Sequence, residues 1–266
     1  MLKLLKWVIV LSSEKTILIT GGTGKIGSRL AKHFLEIGFT VVFTSRSKNS
    51  IESLLKRFDL YYSQGKLYGV VVDLEDERST EQIINFFNTK SIWPDSLINN
   101  ARNRDYLKVN SNSMPTRTEW MGEILMDVVV PYELSMALVR HKDSEVRNIV
   151  NIASLYGVVP PNPNLYKHSE SGSPIQYGVA KAALIHLTKE LAVRLADNGV
   201  RVNSISFGGI EDYVSDEFKE KYVKLCPTGR MLKIHEIMGA VEFLISDMSA
   251  GMTGHNLVVD GGWSVW

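Results

Sequence analysis

A chain of 266 residues, 44% of them hydrophobic, can bury a continuous core, which excludes disorder as the global state. Its 30 Lys and Arg against 29 Asp and Glu leave a formal charge of +1, so no net field draws it to nucleic acid or anionic lipid, and any charged ligand has to be held locally. The single cysteine, Cys226, excludes an internal disulfide framework and a multi-thiolate metal site, and agrees with a reducing, cytoplasmic setting.

The apolar start from Met1 to Leu11 carries Lys3 and Lys6 in a run about half of what spans a bilayer, with no small-residue cleavage site after it. Residues 1–14 read as an extension without stable membrane insertion, and residues 15–266 as one domain. From Lys15 onward, short β-branched runs alternate with segments of helical period, the pattern of parallel strands joined by crossover helices. The strands fall at 16–20, 40–44, 67–72, 96–99, 148–152, 200–205 and 256–259. Runs such as Gly69-Val70-Val71-Val72 leave almost no exposed face, which suits a sheet covered by helices on both sides. The expectation is an α/β, doubly wound domain around a seven-stranded parallel sheet.

The first strand runs into Gly21-Gly22-Thr23-Gly24-Lys25-Ile26-Gly27, a G-x-G-x-x-G from Gly22 to Gly27 that opens a helix with Ile26, Leu30, Phe34 and Leu35 as apolar positions. Glycine there permits positive φ and lets backbone N–H groups approach a pyrophosphate, helped by the helix dipole, so this turn predicts a Rossmann dinucleotide site. An acidic residue closing the second strand would bond the ribose hydroxyls and repel a 2′-phosphate. Ser45 and Arg46 stand there instead, which favours NADP(H) over NAD(H), with Lys25 and Lys48 adding charge; the other reading of Arg46 is a solvated surface residue. Asp73-Leu74 closes the third strand, where Asp73 accepts from the adenine amino group, caps the helix starting near Asp76 to Ser79, or does both.

Ser154 follows the fifth strand, and Tyr177 and Lys181 share a helix face at i and i+4. An ammonium beside a phenol favours the phenolate and moves tyrosine toward general acid/base use, while Ser154 at a strand's carboxyl end hydrogen-bonds a substrate oxygen.

With Thr20-Gly21 and the glycine turn, Asp73, Asn99-Asn100-Ala101, Ser154, Tyr177 to Lys181, Asn203-Ser204-Ile205 before Gly208, and Val259-Asp260-Gly261-Gly262, the chain resembles the short-chain dehydrogenase/reductase family from Thr16 to its C-terminus. The resemblance implies hydride transfer between nicotinamide and a carbonyl or alcohol carbon. Tyr177 would exchange the proton, Ser154 hold the oxygen, and Lys181 hold the cofactor ribose. The backbone around Asn100 and Ala101, and from Gly208 to Ile210, would border the cofactor. It also implies helix-mediated homodimers or homotetramers, to which the apolar end Trp263-Ser264-Val265-Trp266 contributes unless its tryptophans pack on their own subunit; no metal is expected.

Four features depart from the family pattern. Gly21, Gly24 and Gly27 follow Thr-Gly-x-x-Gly-x-x-Gly, more usual in the family's longer sugar-nucleotide epimerases and dehydratases. Arg102 replaces the usual glycine after Ala101, either as a cation near the cofactor and substrate mouth or as a side chain pointing into solvent. Asp127 stands where an asparagine usually assists a proton relay; its charge offsets part of the lysine's effect on Tyr177. Phe207 and Asp212 alter the nicotinamide-side loop.

Ser154 and Tyr177 lie farther apart in sequence than the family usually shows, so a proline-rich loop overlies the reactive centre. Tyr156, Asn162, Asn164, Tyr166, Lys167, His168 and Ser173 give it a hydrogen-bonding surface, which suggests a small polar, sugar-derived substrate whose carboxylate or phosphate meets Arg102, Lys167 or His168. Asn162 to Tyr166 and Gly251 to Asn256 are similar to oxidoreductases associated with bacterial surface sugars of the nonulosonic-acid kind. Two other functions compete: an epimerase or dehydratase with tightly held NAD, drawn from the glycine spacing, and a nonenzymatic cofactor-sensing homologue, drawn from Arg102, Asp127 and Phe207.

Overall fold

The computed structural model describes residues 15–110, 112, 114–167 and 172–266. The proposed extension, residues 1–14, and His168 lie outside them. Strands covered on both faces fit only inside a layered molecule, and the inner strands lie there, whereas Val71 of the Gly69 to Val72 run is exposed at an edge of the sheet, against the sequence expectation. The strands are β1 (Thr16–Ile19), β2 (Thr40–Ser45), β3 (Leu67–Val71), β4 (Ser96–Asn99), β5 (Asn148–Ile152), β6 (Arg201–Phe207) and β7 (Asn256–Val259). They form one seven-stranded sheet in the order β3-β2-β1-β4-β5-β6-β7. Every neighbouring pair is parallel, with Ile17 opposite both Val41 and Ser96. The sequence expectation holds, with β6 running on to Phe207.

Side chains alternate across a strand, so the sheet builds two cores. Ile17 and Ile19 pack with Leu30 and Phe34 of α1 (Lys25–Glu36) and with Ile237 and Val241 of a helix at Ile234–Ile245. Leu18, Val42 and Leu97 face the other way, against Phe87 of Ser79–Lys90, Leu134 of Val130–Arg140 and Leu191 of Ile175–Arg194. In chain order the helices are α1, α2 (Lys48–Arg57), α3 (Asp59–Ser63), α4 (Ser79–Lys90), α5 (Arg117–Ile124), α6 (Val130–Arg140), α7 (Ile175–Arg194), α8 (Asp216–Lys224) and α9 (Ile234–Ile245). Among the described residues, no helix is long and apolar enough to cross a membrane.

Two consequences place the site. The strand order reverses beside β1, whose neighbours are β2 and β4, and an open parallel sheet leaves its ligand crevice outside the carboxyl ends at that switch point. Between α5 and α6, residues Leu125–Val129 make a π turn, in which Val130 N donates to Leu125 O, five residues back. Pro131 has no N–H for the Asp127 carbonyl, which removes an ordinary helical bond and accounts for the wider register. Asp127 sits inside that turn.

Candidate active site

The adenosine half of the crevice is built from backbone. Gly21 takes φ +66°, and a Cβ on Gly27 would lie 2.3 Å from the Gly21 carbonyl oxygen, so the turn closes this tightly only with glycine there. The first turn of α1 has no side-chain cap at Gly24, and the positive end of the helix dipole there favours an anion. Thr20 Oγ1 accepts from the Asn100 and Ala101 N–H groups at 2.9 and 3.0 Å, tying β1 to the end of β4. This cradle fits a dinucleotide pyrophosphate. Lys25 and Ile26 open α1, with Ile26 packed on the core.

Thr23, Gly24, Ser45, Arg46, Asp73, Leu74 and Ala101 line one cleft of about 430 Å³, together with Arg102 and Met126. The Thr23 and Ser45 hydroxyls are 2.9 Å apart. Arg46 is neither buried nor free: its side chain is 58% exposed, and its guanidinium lies 3.7 Å from Asp105, which Lys108 neutralises at 2.9 Å. Lys48 is turned to Glu52 one helical turn on. Asp73 does not cap the helix that follows, because α4 starts at Ser79 behind Arg78. Its Oδ1 accepts from Glu75 N at 3.1 Å and so fixes the turn at the cleft floor. Glu75 also accepts from Asn103 Nδ2 at 2.7 Å and from the Tyr106 hydroxyl, whose pKa this hydrogen bond pushes up to about 12.

The other half is built from buried charge. Lys181, 6% exposed on α7, donates from Nζ to Asp127 Oδ1 and to the Ile152 carbonyl, both at 2.9 Å. One turn earlier, two cations stand over the half-buried Tyr177 ring: Lys181 Nζ is 6.0 Å from its centroid and the Arg102 guanidinium 4.2 Å. Arg102 therefore covers the tyrosine face and does not simply point into solvent. Ser154 is buried at the end of β5, its Oγ accepting from Tyr156 N at 3.2 Å. A Cβ on Gly157 would come within 2.8 Å of the Lys181 carbonyl carbon, so this glycine lets the turn after Ser154 pack directly on α7.

Beneath these side chains runs a buried ladder: Asn99 Nδ2 donates to Asn151 Oδ1 at 2.8 Å, and Asn151 Nδ2 to Thr188 Oγ1 at 2.9 Å. It locks β4, β5 and α7 in register. Gly208 and Ile210 stand apart from the cleft around Arg46, beyond β6. There Gly208 N bonds to Val259 O, Ile210 bridges to Leu232, and Phe207 is buried in the core. Asp212 is exposed in the short turn that follows.

The loop between Ser154 and Tyr177 corrects the sequence reading in part. The Tyr156 and Tyr166 hydroxyls bond to each other, and burial holds both phenols above their ordinary range. Tyr166 packs at 5.4 Å on Phe218 of α8, and Tyr222 of the same helix stacks at 5.8 Å on Trp263. Asn162 accepts from Asn164 N at 3.0 Å. The tyrosine hydroxyls are spent within the loop and its apolar underside, while Asn164 and Lys167 are exposed. Trp263, too, packs on its own chain.

Glu123 escaped the sequence reading altogether. It is 1% exposed on α5, one turn before Asp127, and burial beside Asp127 pushes its pKa up to about 7. A charge amid Met121-Gly122-Glu123-Ile124-Leu125-Met126, four residues from Asp127, was the available signal. Gln176, fully buried at the start of α7, was also missed; its Nε2 donates to Tyr106 O at 2.8 Å. Among the described residues, no cluster of His, Cys, Asp or Glu has metal-binding geometry.

A family model described as Enoyl-(Acyl carrier protein) reductase matches residues 22–264. The chain is 28% identical to post-translational flagellin modification protein A of Campylobacter coli, across 95% of this chain and 99% of that one. It is 30% identical to the 3-oxoacyl-(acyl-carrier-protein) reductase FabG of Escherichia coli (strain K12), across 93% and 96%. Among solved structures, a short chain dehydrogenase from Leptospira borgpetersenii serovar Hardjo-bovis with bound NAD+ superposes with a TM-score of 0.82 at 30% identity, covering 95% of this chain and 93% of that one. ElxO with NADP bound gives 0.81 at 26% identity, covering 96% and 100%.

Proposed function

The chain belongs to the short-chain dehydrogenase/reductase family, NAD(P)-dependent oxidoreductases of carbonyl and alcohol substrates, and from that premise we propose an NADP(H)-preferring enzyme acting on a small polar, sugar-derived substrate. The observation that carries this reading is the Tyr177 ring approached by both Arg102 and a Lys181 anchored on two acceptors.

The glycine turn and the uncapped start of α1 would hold the pyrophosphate, Asp73 the adenine, and Ser45 with Arg46 the 2′-phosphate. When bound, the nicotinamide exchanges hydride with the substrate carbon. An alcohol that loses hydride also loses its hydroxyl proton. Tyr177 takes that proton during oxidation and returns it during reduction, and Ser154 Oγ donates a hydrogen bond to the same substrate oxygen. Lys181 places an ammonium near the phenol and would supply an N–H for the cofactor ribose. Asp127 holds that ammonium in place.

Arg102 supports an anionic group on the substrate. It has no carboxylate within ion-pair distance among the described residues, and stacking on Tyr177 leaves the edge of its fork open to a carboxylate or phosphate. The likeness of Asn162 to Tyr166 and Gly251 to Asn256 to oxidoreductases associated with bacterial surface sugars supports a sugar-derived substrate. Exposed apolar side chains on α5 and α7, among them Met121, Ile175 and Val193, with Val265 and Trp266, support a homodimer or homotetramer, which light scattering tests. We place the protein in the cytoplasm.

The test is turnover with NADPH and NADH against a panel of anionic keto-sugars, neutral keto-sugars, simple ketones and a 3-oxoacyl thioester, with Tyr177→Phe as control. Reduction of anionic keto-sugars with NADPH, lost in the control, is the expected result. Faster turnover of the thioester overturns the substrate assignment, and tighter NADH binding overturns the cofactor assignment.

A further inference from the structure

Glu123 lies where an ionised carboxylate is costly, and its surroundings say how it is tolerated. It is 1% exposed, and Asp127, on the next turn of the same helical run, is 2% exposed. Residues four apart on a helix are neighbours, about 5–6 Å between Cβ atoms. Glu123 Oε2 and Asp127 Oδ2 are both buried without a hydrogen-bond partner. Two buried carboxylates one turn apart have no donor to offer each other when both are ionised, whereas a proton on one of them supplies a donor that could satisfy both orphaned oxygens.

Three charged groups act on Glu123 from the elements around it: Asp127 from the π turn, Arg102 from the loop after β4, and Lys181 from α7. Desolvation and the Asp127 charge favour the protonated acid, while the two cations oppose them from beyond ion-pair distance. Lys181 has three N–H donors, of which Asp127 and the Ile152 carbonyl take two. That leaves one N–H on an ammonium 6.0 Å from the Tyr177 ring centroid.

We infer that Glu123 is a positioning residue that works in its protonated form, donating to Asp127 Oδ2 and so leaving the third N–H of Lys181 to the Tyr177 side of the site. Loss of that proton to solvent places a second buried negative charge beside one ammonium and turns Lys181 away from the phenol. The structural half of this inference concerns the protein without cofactor; the kinetic half rests on the proposed roles of Tyr177 and Lys181.

The experiment therefore has two readouts. Infrared difference spectra of the cofactor-free protein between about pH 6 and about pH 8 report protonated carboxylic acids directly. A carbonyl band that disappears across this interval in the wild type, is missing from Glu123→Gln and moves to lower pH in Asp127→Asn is the expected result. The wild type alone decides the first point, whether or not the variants fold. No titrating acid in that interval, or one that persists in Glu123→Gln, overturns the inference while leaving the proposed oxidoreductase activity standing. In turnover, the ratio of kcat/KM at the lower pH to that at the higher is expected to be several-fold larger in wild type than in Glu123→Gln, whose amide donates at every pH. An identical pH profile in the two proteins removes Glu123 from the positioning of Lys181.

Discussion

The two ends of the crevice recognise their halves of the cofactor by opposite means. Around Gly21 to Gly27 the groups on offer are backbone N–H groups, hydroxyls and an arginine that is 58% exposed, held by pairs that salt screens. Around Lys181 the lysine, Asp127 and Glu123 are buried, with the lysine fixed by Asp127 and Ile152 and Asp127 by the π turn that Pro131 forces, while the exposed Arg102 reaches the tyrosine from outside. The first end tolerates change because each contact is small and water can replace it. The second does not, because removing one member leaves another charge unpaired in a low dielectric. Affinity is thus distributed, and chemistry is concentrated.

The strongest way to break this contrast is at Lys181. Lys181→Met leaves Asp127 and Glu123 buried without their cation, and the expected cost is about 3–5 kcal/mol of stability, read as a drop in Cm in urea, along with loss of turnover. A variant that melts like the wild type shows that the charges are not interdependent. Tyr177→Phe separates chemistry from scaffold at the same end. With the ring kept under Arg102, kcat is expected to fall about 10³-fold, near 4 kcal/mol, while cofactor affinity and Cm stay close to wild type. Residual activity within tenfold of wild type removes the phenol from proton exchange.

Glu123 sharpens the contrast through pH. The folded protein holds its proton up to about 7, against 4.5 for the ordinary carboxyl of the unfolded chain. Between these values the folded state binds more protons than the unfolded one, so stability falls as pH rises through that window, by up to about 3 kcal/mol. Glu123→Gln has no such dependence. Its melting temperature is expected to gain on the wild type by several degrees from below the window to above it, and parallel curves refute the raised carboxyl.

How far the sequence could be read differs between the same two ends. The seven strands, the glycine turn and the residues closing β2 and β3 are local signals, since period, glycine spacing and strand ends all sit within a few residues of one another. Tyr177 and Lys181 were legible for the same reason, four apart on one helix. Glu123 was not, because nothing local says that a glutamate in an apolar stretch faces inward; that depends on the π turn and on α5 packing against α7. The loop before Tyr177 reads as polar by composition, yet its phenols are paired by contacts between Tyr156, Tyr166 and Phe218 that bring distant segments together. Arg102 left two readings open because its length reaches either solvent or the tyrosine, and only the position of α7 decides between them.

The smallest expected effect belongs to Arg46, and its size is itself the point. Its pairing with Asp105 is long and exposed, and Lys108 already neutralises that carboxylate, so releasing the guanidinium to a phosphate costs little. A bidentate contact with a 2′-phosphate then adds affinity that NADH cannot draw on. Arg46→Ala is expected to weaken NADPH binding about tenfold at low ionic strength, to leave NADH within about twofold, and to lose most of that difference as salt is raised. Equal weakening of both cofactors would make Arg46 part of the cleft wall rather than the phosphate's partner. A salt-independent effect would mean that this end, too, works by buried charge.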